Sequence, residues 1–187
     1  MTRRRFLFDP PERFVAGAMG QPGDRTFFLQ ARDGSRVVSV VLEKTQVAVL
    51  AERLGSLLFE LDRRGIIQAS EDAAATDSAP LDEPLQEAFR AGTLTLGWDG
   101  GSERVLIEAR AMTEGDEAPA DEPEESADDD EDGPDLFRVR LSADAARAFV
   151  DRAIRVVQAG RLPCPLCGAP LDPGGHICPR RNGHYVN

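Results

Sequence analysis

The chain has 187 residues, of which 41% are hydrophobic and 29% charged, as in a soluble globular protein of one sizeable domain or two small ones. It contains no run of 18 apolar residues, which excludes a membrane-spanning helix. The formal net charge of −11 has one source, because residues 114–135 hold 13 of the 33 acidic side chains and no lysine or arginine. Outside that segment 22 basic side chains stand against 20 acidic ones, so we expect a nearly neutral body that carries one acidic insert.

The N-terminus carries three arginines, Arg3–Arg5, and resembles the start of a twin-arginine export signal. Such a signal needs an apolar stretch directly afterwards, whereas residues 9–13 are charged and rich in proline. A basic first strand is therefore the preferred interpretation. The three cysteines are an odd number within fifteen residues, which is not the pattern of a secreted disulfide framework. Together these features predict a protein of the reducing cytoplasm with no membrane partner.

The first half of the chain has the pattern of a hairpin followed by a helix. Two apolar runs, 27–32 and 36–42, flank an Asp-Gly pair that suits the tight turn of a β-hairpin. In residues 43–64 apolar side chains recur every three or four positions, which predicts an amphipathic helix with Gly65 at its C-terminal cap. Residues 69–84 are small and polar and contain proline, so we expect a linker or a mobile loop there.

The same order of elements returns in the second half. Residues 104–110 match 26–32 position by position, and 137–141 match 38–42. Residues 142–158 then predict a second amphipathic helix, whose apolar positions follow those of the first helix at a constant offset.

The acidic segment 114–135 falls between the last two strands of the second half. It has three prolines and no aromatic residue, so it lacks the apolar surface that would offset the entropy of ordering it. We expect this segment to be disordered.

The repeated pattern predicts two β-β-β-α units, at about 12–64 and 92–159, that arose by duplication. Each unit has one apolar sheet face and one apolar helix stripe to bury. This favours an α+β fold in which both helices pack on one face of a mainly antiparallel sheet, with an approximate two-fold axis between the units. We expect residues 1–159 to form the duplicated body and residues 160–187 to form a small tail of the zinc-ribbon type.

All cysteines and histidines of the chain lie in this tail. Cys164 and Cys167 form a Cys-x-x-Cys-Gly knuckle, a spacing that lets both thiolates bind one tetrahedral ion, and Cys178 offers a third ligand. The fourth ligand is open between His176, two residues before Cys178, and His184, six residues after it. A redox pair would need a helix at the first cysteine, and the glycines and prolines that follow oppose one. Because the tail has almost no apolar core, we expect a structural Zn²⁺ ion to supply its folding energy.

Enzyme chemistry has little support in the body. With every cysteine and histidine assigned to the tail, no Ser-His-Asp or Cys-His arrangement can be built there, and no phosphate-binding glycine loop occurs. Three cysteines and one histidine would also fill all four positions of a tetrahedral zinc site and leave none for a catalytic water. These observations favour a non-enzymatic binding or adaptor protein with an unidentified protein partner.

Two alternatives stay open. Aspartate, glutamate and arginine side chains in the cleft between the units would serve a hydrolase or a transferase. From residue 152 to the C-terminus there are five arginines and one acidic residue, so the zinc tail could also bind nucleic acid weakly. The aromatic residues that stack on bases are nearly absent from it.

Three stretches of the sequence carry a resemblance to a known family. They are Phe-Asp-Pro-Pro-Glu-Arg-Phe at 8–14, Gly-x-Pro-Gly-Asp-Arg-Thr-Phe-Phe-Leu-Gln-Ala at 20–31, and Cys-Pro-Leu-Cys-Gly-x-Pro-Leu-Asp-Pro-x-Gly-His-x-Cys-Pro-Arg at 164–180. The chain thereby resembles an uncharacterised protein family of actinobacteria over essentially its whole length, with the acidic segment as a variable insertion. The resemblance implies a cytoplasmic protein without an assigned activity. Since the family ends in Asn-Gly-Tyr more often than in Asn-Gly-His, it also favours His176 over His184 as the fourth ligand.

Overall fold

The computed structural model describes residues 3–68, 77–113, 133–160, 164–167 and 178. Within them the chain forms an α+β fold of two β-β-β-α units behind one short first strand, as the sequence predicts. No helix of the described ranges is long and apolar enough to cross a membrane. The elements are β1 (Arg5–Phe8), β2 (Arg13–Gln21), β3 (Asp24–Asp33), β4 (Arg36–Leu42), α1 (Lys44–Arg63), β5 (Glu87–Asp99), β6 (Arg104–Ala111), β7 (Leu136–Leu141) and α2 (Ala143–Gln158).

All seven strands belong to one sheet in the order β1-β7-β6-β5-β4-β3-β2. Neighbouring strands are antiparallel except at two junctions, where β1 runs parallel to β7 and the start of β5 runs parallel to β4. Glycines with positive φ lie in the two tight turns of the first unit, Gly23 (φ 104°) between β2 and β3 and Gly34 (φ 55°) between β3 and β4. The predicted Asp-Gly hairpin is therefore confirmed.

The sheet curls so that its two edges approach each other. The rings of Phe14 in β2 and Phe137 in β7 have centroids 6.3 Å apart. Five strand-to-strand steps separate these strands, which would place them about 24 Å apart in a flat sheet. Only residues 9–12 link β1 at one edge to β2 at the other. The two edges therefore face each other across a common core.

The pairing register repeats between the two units. Phe27 stands opposite Leu42 in the first unit, and Val105 stands opposite Leu141 in the second, in agreement with the sequence match. The parallel junctions repeat as well, because β1 lies beside β7 as the start of β5 lies beside β4. Equivalent strands run in the same direction and follow in the same order around the curled sheet. This arrangement corresponds to an approximate two-fold axis along the strands. The first segment of each unit pairs with the last strand of the other unit.

Both helices pack on one face of the sheet and against each other, which buries the apolar stripes seen in the sequence. Phe149 of α2 stacks on Phe14 of β2 with ring centroids 4.6 Å apart. The backbone N–H of Ala145 donates to the hydroxyl of the N-cap residue Ser142. The first helix begins and ends within one residue of the predicted bounds, and Gly65, with φ 68°, follows it. The helix-bearing face of the sheet is the main core of the protein.

Residues 77–84, which we expected to belong to a mobile linker, pack against the sheet instead. Leu81 is 8% exposed and forms a second core on the face opposite the helices, where it contacts side chains of β2, β3 and β4. Gly17 of β2 leaves room for it, because a Cβ atom built at Gly17 would lie 2.6 Å from Leu81. A single leucine among small polar residues has no periodicity, so the sequence pattern did not reveal this contact. Residues 69–76 of the expected linker lie outside the described residues.

The acidic segment was expected to be disordered from residue 114 to residue 135. Its last residue differs from that expectation, since the backbone N–H and the Nε of Arg4 both donate to the Asp135 carboxylate at 2.8 Å. The backbone carbonyl of Asp135 also accepts from the N–H of Ala111, so the segment re-enters the sheet before β7 begins. Residues 114–132 lie outside the described residues.

Candidate metal centre

The structure brings the three cysteines of the tail together. Cys164 and Cys178 are buried, at 6% and 5% exposure, and Cys167 is half-buried. All three sulfur atoms lie within 4.8 Å of one another, and the Sγ atoms of Cys164 and Cys178 are 3.9 Å apart. The cluster therefore brings together both ends of the segment 164–178, in which the sequence predicts a zinc site.

The sulfur spacing suits a tetrahedral metal site. Thiolates bound to Zn²⁺ at about 2.3 Å in a regular tetrahedron are about 3.8 Å apart. The 3.9 Å between Cys164 and Cys178 is close to that edge, whereas a disulfide requires about 2.05 Å. None of the three cysteines is in a disulfide bond in the structure. The three sulfur atoms are therefore close enough together to hold a metal ion.

The knuckle also favours the thiolate form that binds metals. Residues 165–167 form a turn that aims backbone N–H groups at the first cysteine. Hydrogen bonds from the N–H groups of Leu166 and Cys167, together with the thiols of Cys167 and Cys178, lower the pKa of Cys164 to about 6. Since only the deprotonated sulfur coordinates a metal, this turn prepares Cys164 as a ligand near neutral pH.

The two histidines of the sequence prediction, His176 and His184, lie outside the described residues. The structure therefore gathers Cys164, Cys167 and Cys178 and leaves the fourth ligand a prediction. The choice between the two histidines stays as the sequence analysis left it.

A comparison with protein families locates the chain among known sequences. A family model described as "Protein of unknown function (DUF3090)" matches residues 6–178. The chain belongs to that family. No curated protein and no solved structure matches it. The DUF3090 match spans both β-β-β-α units and ends at Cys178, so it takes in all three cysteines and His176 but not His184.

The body of this DUF3090 chain holds a second group of polar residues, at the free edge of β2. The Nε of Arg152 in α2 donates to the backbone carbonyl of Ala16 at 2.7 Å, and its two Nη atoms donate to the carbonyls of Asp77 and Ala79 at 2.8 Å. Arg13 of β2 donates to the carboxylate of Asp77 at 2.6 Å. The two arginines therefore fasten the segment that begins at Asp77 to the edge of the sheet.

The ionisation of this group follows from its contacts. The hydrogen bond from Arg13 lowers the pKa of Asp77 below its ordinary value, and the same pair raises the pKa of Arg13. Burial lowers the pKa of Arg152, although the Asp77 carboxylate opposes that effect. The sequence analysis did not identify this group. The available signal was Arg152 itself, a charged residue within the apolar stripe of α2 next to Phe149 and Ala153.

Asp77 and Asp82, two carboxylates of the described body, are both ion-paired with Arg13. On the helix-bearing face the core is apolar, and the buried Glu108 lies on the opposite face, ion-paired with Arg138. An open groove of about 350 Å³ runs between α1 and α2. Its charged residues are Asp62, Arg147 and Asp151, and no described cysteine, serine or histidine lines it.

Proposed function

We propose that the protein is a non-enzymatic binding module, an adaptor, whose C-terminal tail is folded around a structural zinc ion. The ligands are Cys164, Cys167, Cys178 and His176, with His184 as the alternative to His176. The observation that carries the metal assignment is the convergence of three thiol sulfurs within 4.8 Å of one another, with the Cys164–Cys178 pair at 3.9 Å, close to a tetrahedral edge. The low pKa of Cys164 supports the same assignment, since zinc ligands bind as thiolates.

A structural role for the metal is supported by the composition of the site. Catalytic zinc sites keep one position for water, whereas three thiolates and one imidazole fill a tetrahedron. The two outer cysteines are buried, which limits the access of a substrate. The tail between them is rich in glycine and proline, so metal binding supplies the folding energy that a core would otherwise provide.

An adaptor role is supported by the surface of the helix pair. Phe59 of α1 is 69% exposed beside the groove between the helices, where Gly55 and Val150 also lie. Exposed aromatic residues next to a shallow groove are typical anchors of protein–protein contacts. We do not adopt the hydrolase or transferase alternative, because Asp77 and Asp82 are held in ion pairs with Arg13 that fix their segment to β2.

The metal assignment is tested by elemental analysis of the full chain purified without chelator. We expect about one Zn²⁺ per chain, its loss in Cys164→Ser, and its retention in Leu166→Ser, which changes an exposed residue of the same knuckle. His176→Ala should lose zinc and His184→Ala should keep it. The body should melt as in the wild type in every variant. Full zinc content in Cys164→Ser would contradict the proposal.

The adaptor role is tested by cross-linking the wild-type chain in cells and identifying the proteins attached to it. Phe59→Ser should remove a defined subset of these proteins. Val49→Ser is the matched control, because Val49 is also exposed on α1 but does not line the groove. An identical set of partners for both variants would show that the groove is not the binding surface.

A further inference from the structure

The segment after α1 binds the outer face of the first unit through one leucine and one aspartate. Leu81 occupies the notch that Gly17 leaves in β2 and packs on Val15, Phe28 and Val41. The amide group of Gln30 pairs with the backbone of the next residue, Asp82, accepting from its N–H at 2.7 Å and donating to its carbonyl at 3.0 Å.

The carboxylate of Asp82 is also paired with arginines in this position. Its carboxylate accepts from Arg13 at 2.6 Å and lies 3.6 Å from the Nε of Arg32. The outer face of the first unit is therefore a groove for an apolar residue followed by an acidic one, held in a fixed orientation by a glutamine.

The second unit repeats this groove at equivalent positions. Gly97 stands opposite Leu106 in the same register in which Gly17 stands opposite Phe28. No atom of the described residues lies within 4 Å of a Cβ built at Gly97. The notch of the first unit thus has a counterpart that the described part of the chain leaves unfilled.

The polar positions of the first groove have counterparts in the second unit, and more of these counterparts are charged residues. The cross-strand pair of Gln30 and Ser39 becomes the ion pair of Glu108 and Arg138. Arg110 takes the place of Arg32, and Arg140 takes the place of Val41. Arg138 and Arg110 are ion-paired with Glu108, and Arg140 is ion-paired with Asp9 at 3.1 Å. Three arginines against two carboxylates leave one positive charge in excess, which suits a ligand that carries a carboxylate.

The bound segment of the first unit also has a copy in the sequence. Ala79-Pro80-Leu81-Asp82 recurs once, as Ala169-Pro170-Leu171-Asp172. Each copy follows the helix of its unit, the first after residues 64–78 and the second after residues 159–168. Ten residues reach at most about 33–36 Å, which is enough to pass from the end of a helix to the other face of a sheet.

We propose that the outer groove of the second unit binds residues 169–172 of the same chain, with Leu171 at Gly97 and Asp172 at Arg110 and its neighbouring arginines. Residues 169–172 lie outside the described residues, and the proposal rests on the groove and on the repeated sequence. Docking of this segment fixes the zinc tail to the sheet and leaves the helix pair as the surface open to a partner. It does not depend on the identity of the metal.

The first test measures hydrogen exchange of the full-length, zinc-loaded protein by mass spectrometry. Gly97→Val fills the notch, and we expect the amides of residues 169–175 to exchange on the order of tenfold faster than in the wild type. Leu171→Ser should have the same effect, and the double variant should exchange no faster than either single one. Leu166→Ser is the matched control, because it removes an exposed leucine from the same tail and should leave this exchange unchanged. Unchanged exchange in both Gly97→Val and Leu171→Ser would overturn the proposal.

A second test detects the bound segment directly by photo-cross-linking. A benzophenone amino acid placed at Thr95, which is half-buried and corresponds to Val15, should cross-link on illumination to residues 169–173 of the same molecule. Cross-links at the same site between two molecules would overturn the proposal in favour of exchange with a second copy. Cross-links confined to other parts of the chain would overturn it as well.

Discussion

The contact between Gly17 and Leu81 allows a quantitative test of the second core. Leu81 is 8% exposed, and truncating a buried leucine to alanine costs about 2–5 kcal/mol. Because this core is small, we expect Leu81→Ala to lower the free energy of unfolding by about 2–3 kcal/mol, in the lower part of that range. A mobile loop at this position would give a change close to zero.

The effect of Gly17→Ala follows from the 2.6 Å between the new Cβ and the leucine carbons. Non-bonded carbons favour about 3.5–4.0 Å, so nearly 1 Å must be recovered by moving the segment, at an expected cost of about 1–3 kcal/mol. In the Leu81→Ala background the obstructing carbons are gone. There the same substitution should be neutral, or stabilising by about 0.5 kcal/mol, because alanine has less conformational freedom to lose than glycine.

The assay is a double-mutant cycle in urea, with the free energy of unfolding read from each denaturation curve. We expect a coupling of about 1–3 kcal/mol, with the double variant more stable than the two single effects predict. Leu85→Ala is the control, since Leu85 lies at the rim of the same core and should combine additively with Gly17→Ala. Strict additivity of Gly17→Ala with Leu81→Ala would refute the packing described above.

Three further outcomes are expected. Arg152→Met leaves the buried carbonyl of Ala16 without its donor and should cost about 2–4 kcal/mol in urea denaturation, whereas Arg155→Met at the exposed helix surface should cost less than about 0.5 kcal/mol. Asp77 has a lowered pKa, so its contribution to stability is present above about pH 4 and is lost as the pH falls through its folded-state pKa. The stability of Asp77→Asn should therefore decline less on acidification than that of the wild type, and equal acid profiles would contradict this assignment. Replacing residues 114–132 by Asn-Gly should keep or slightly raise the melting temperature, because the shorter loop costs about 1 kcal/mol less free energy to close. A drop of several degrees would mean that the insert packs on the body.

The parts of the fold that the sequence predicted are those in which local pattern and tertiary structure agree. The leucine stripe of residues 47–61 has a 3.6-residue period because that face of α1 packs on the sheet. The match between residues 26–32 and 104–110 predicted the duplicated register, because residues at equivalent positions meet equivalent partners.

Other parts could not be predicted, because the contacts that order them are distant in the sequence. The start of β5, Glu87–Arg90, lies before the predicted second unit and is ordered by parallel pairing with β4 rather than by its own apolar pattern. Gly17 lies within β2 and makes room for Leu81, a role that no pattern in its own strand indicates. Only the packing of another segment explains that glycine.

The candidate site was predictable in part for a related reason. Cys164, Cys167 and Cys178 were identified from spacing alone, because the geometry of a metal knuckle is local. The fourth ligand stays a prediction. The polar group around Arg152 and Asp77 joins residues 75 positions apart, and no short-range sequence pattern predicts such a contact.

The pairing of β1 with β7 has a consequence for the synthesis of the protein. β1 leaves the ribosome well before β7, because the residues that bind Arg4 and Arg5 are made about 131 positions later. At cellular rates of translation this delay is roughly ten seconds. During it the first strand has no partner, and its backbone N–H and C=O groups are open to pairing with other nascent chains. A chain that stalls before residue 136 keeps this exposed strand, so prematurely ended products should be the aggregation-prone form of the protein.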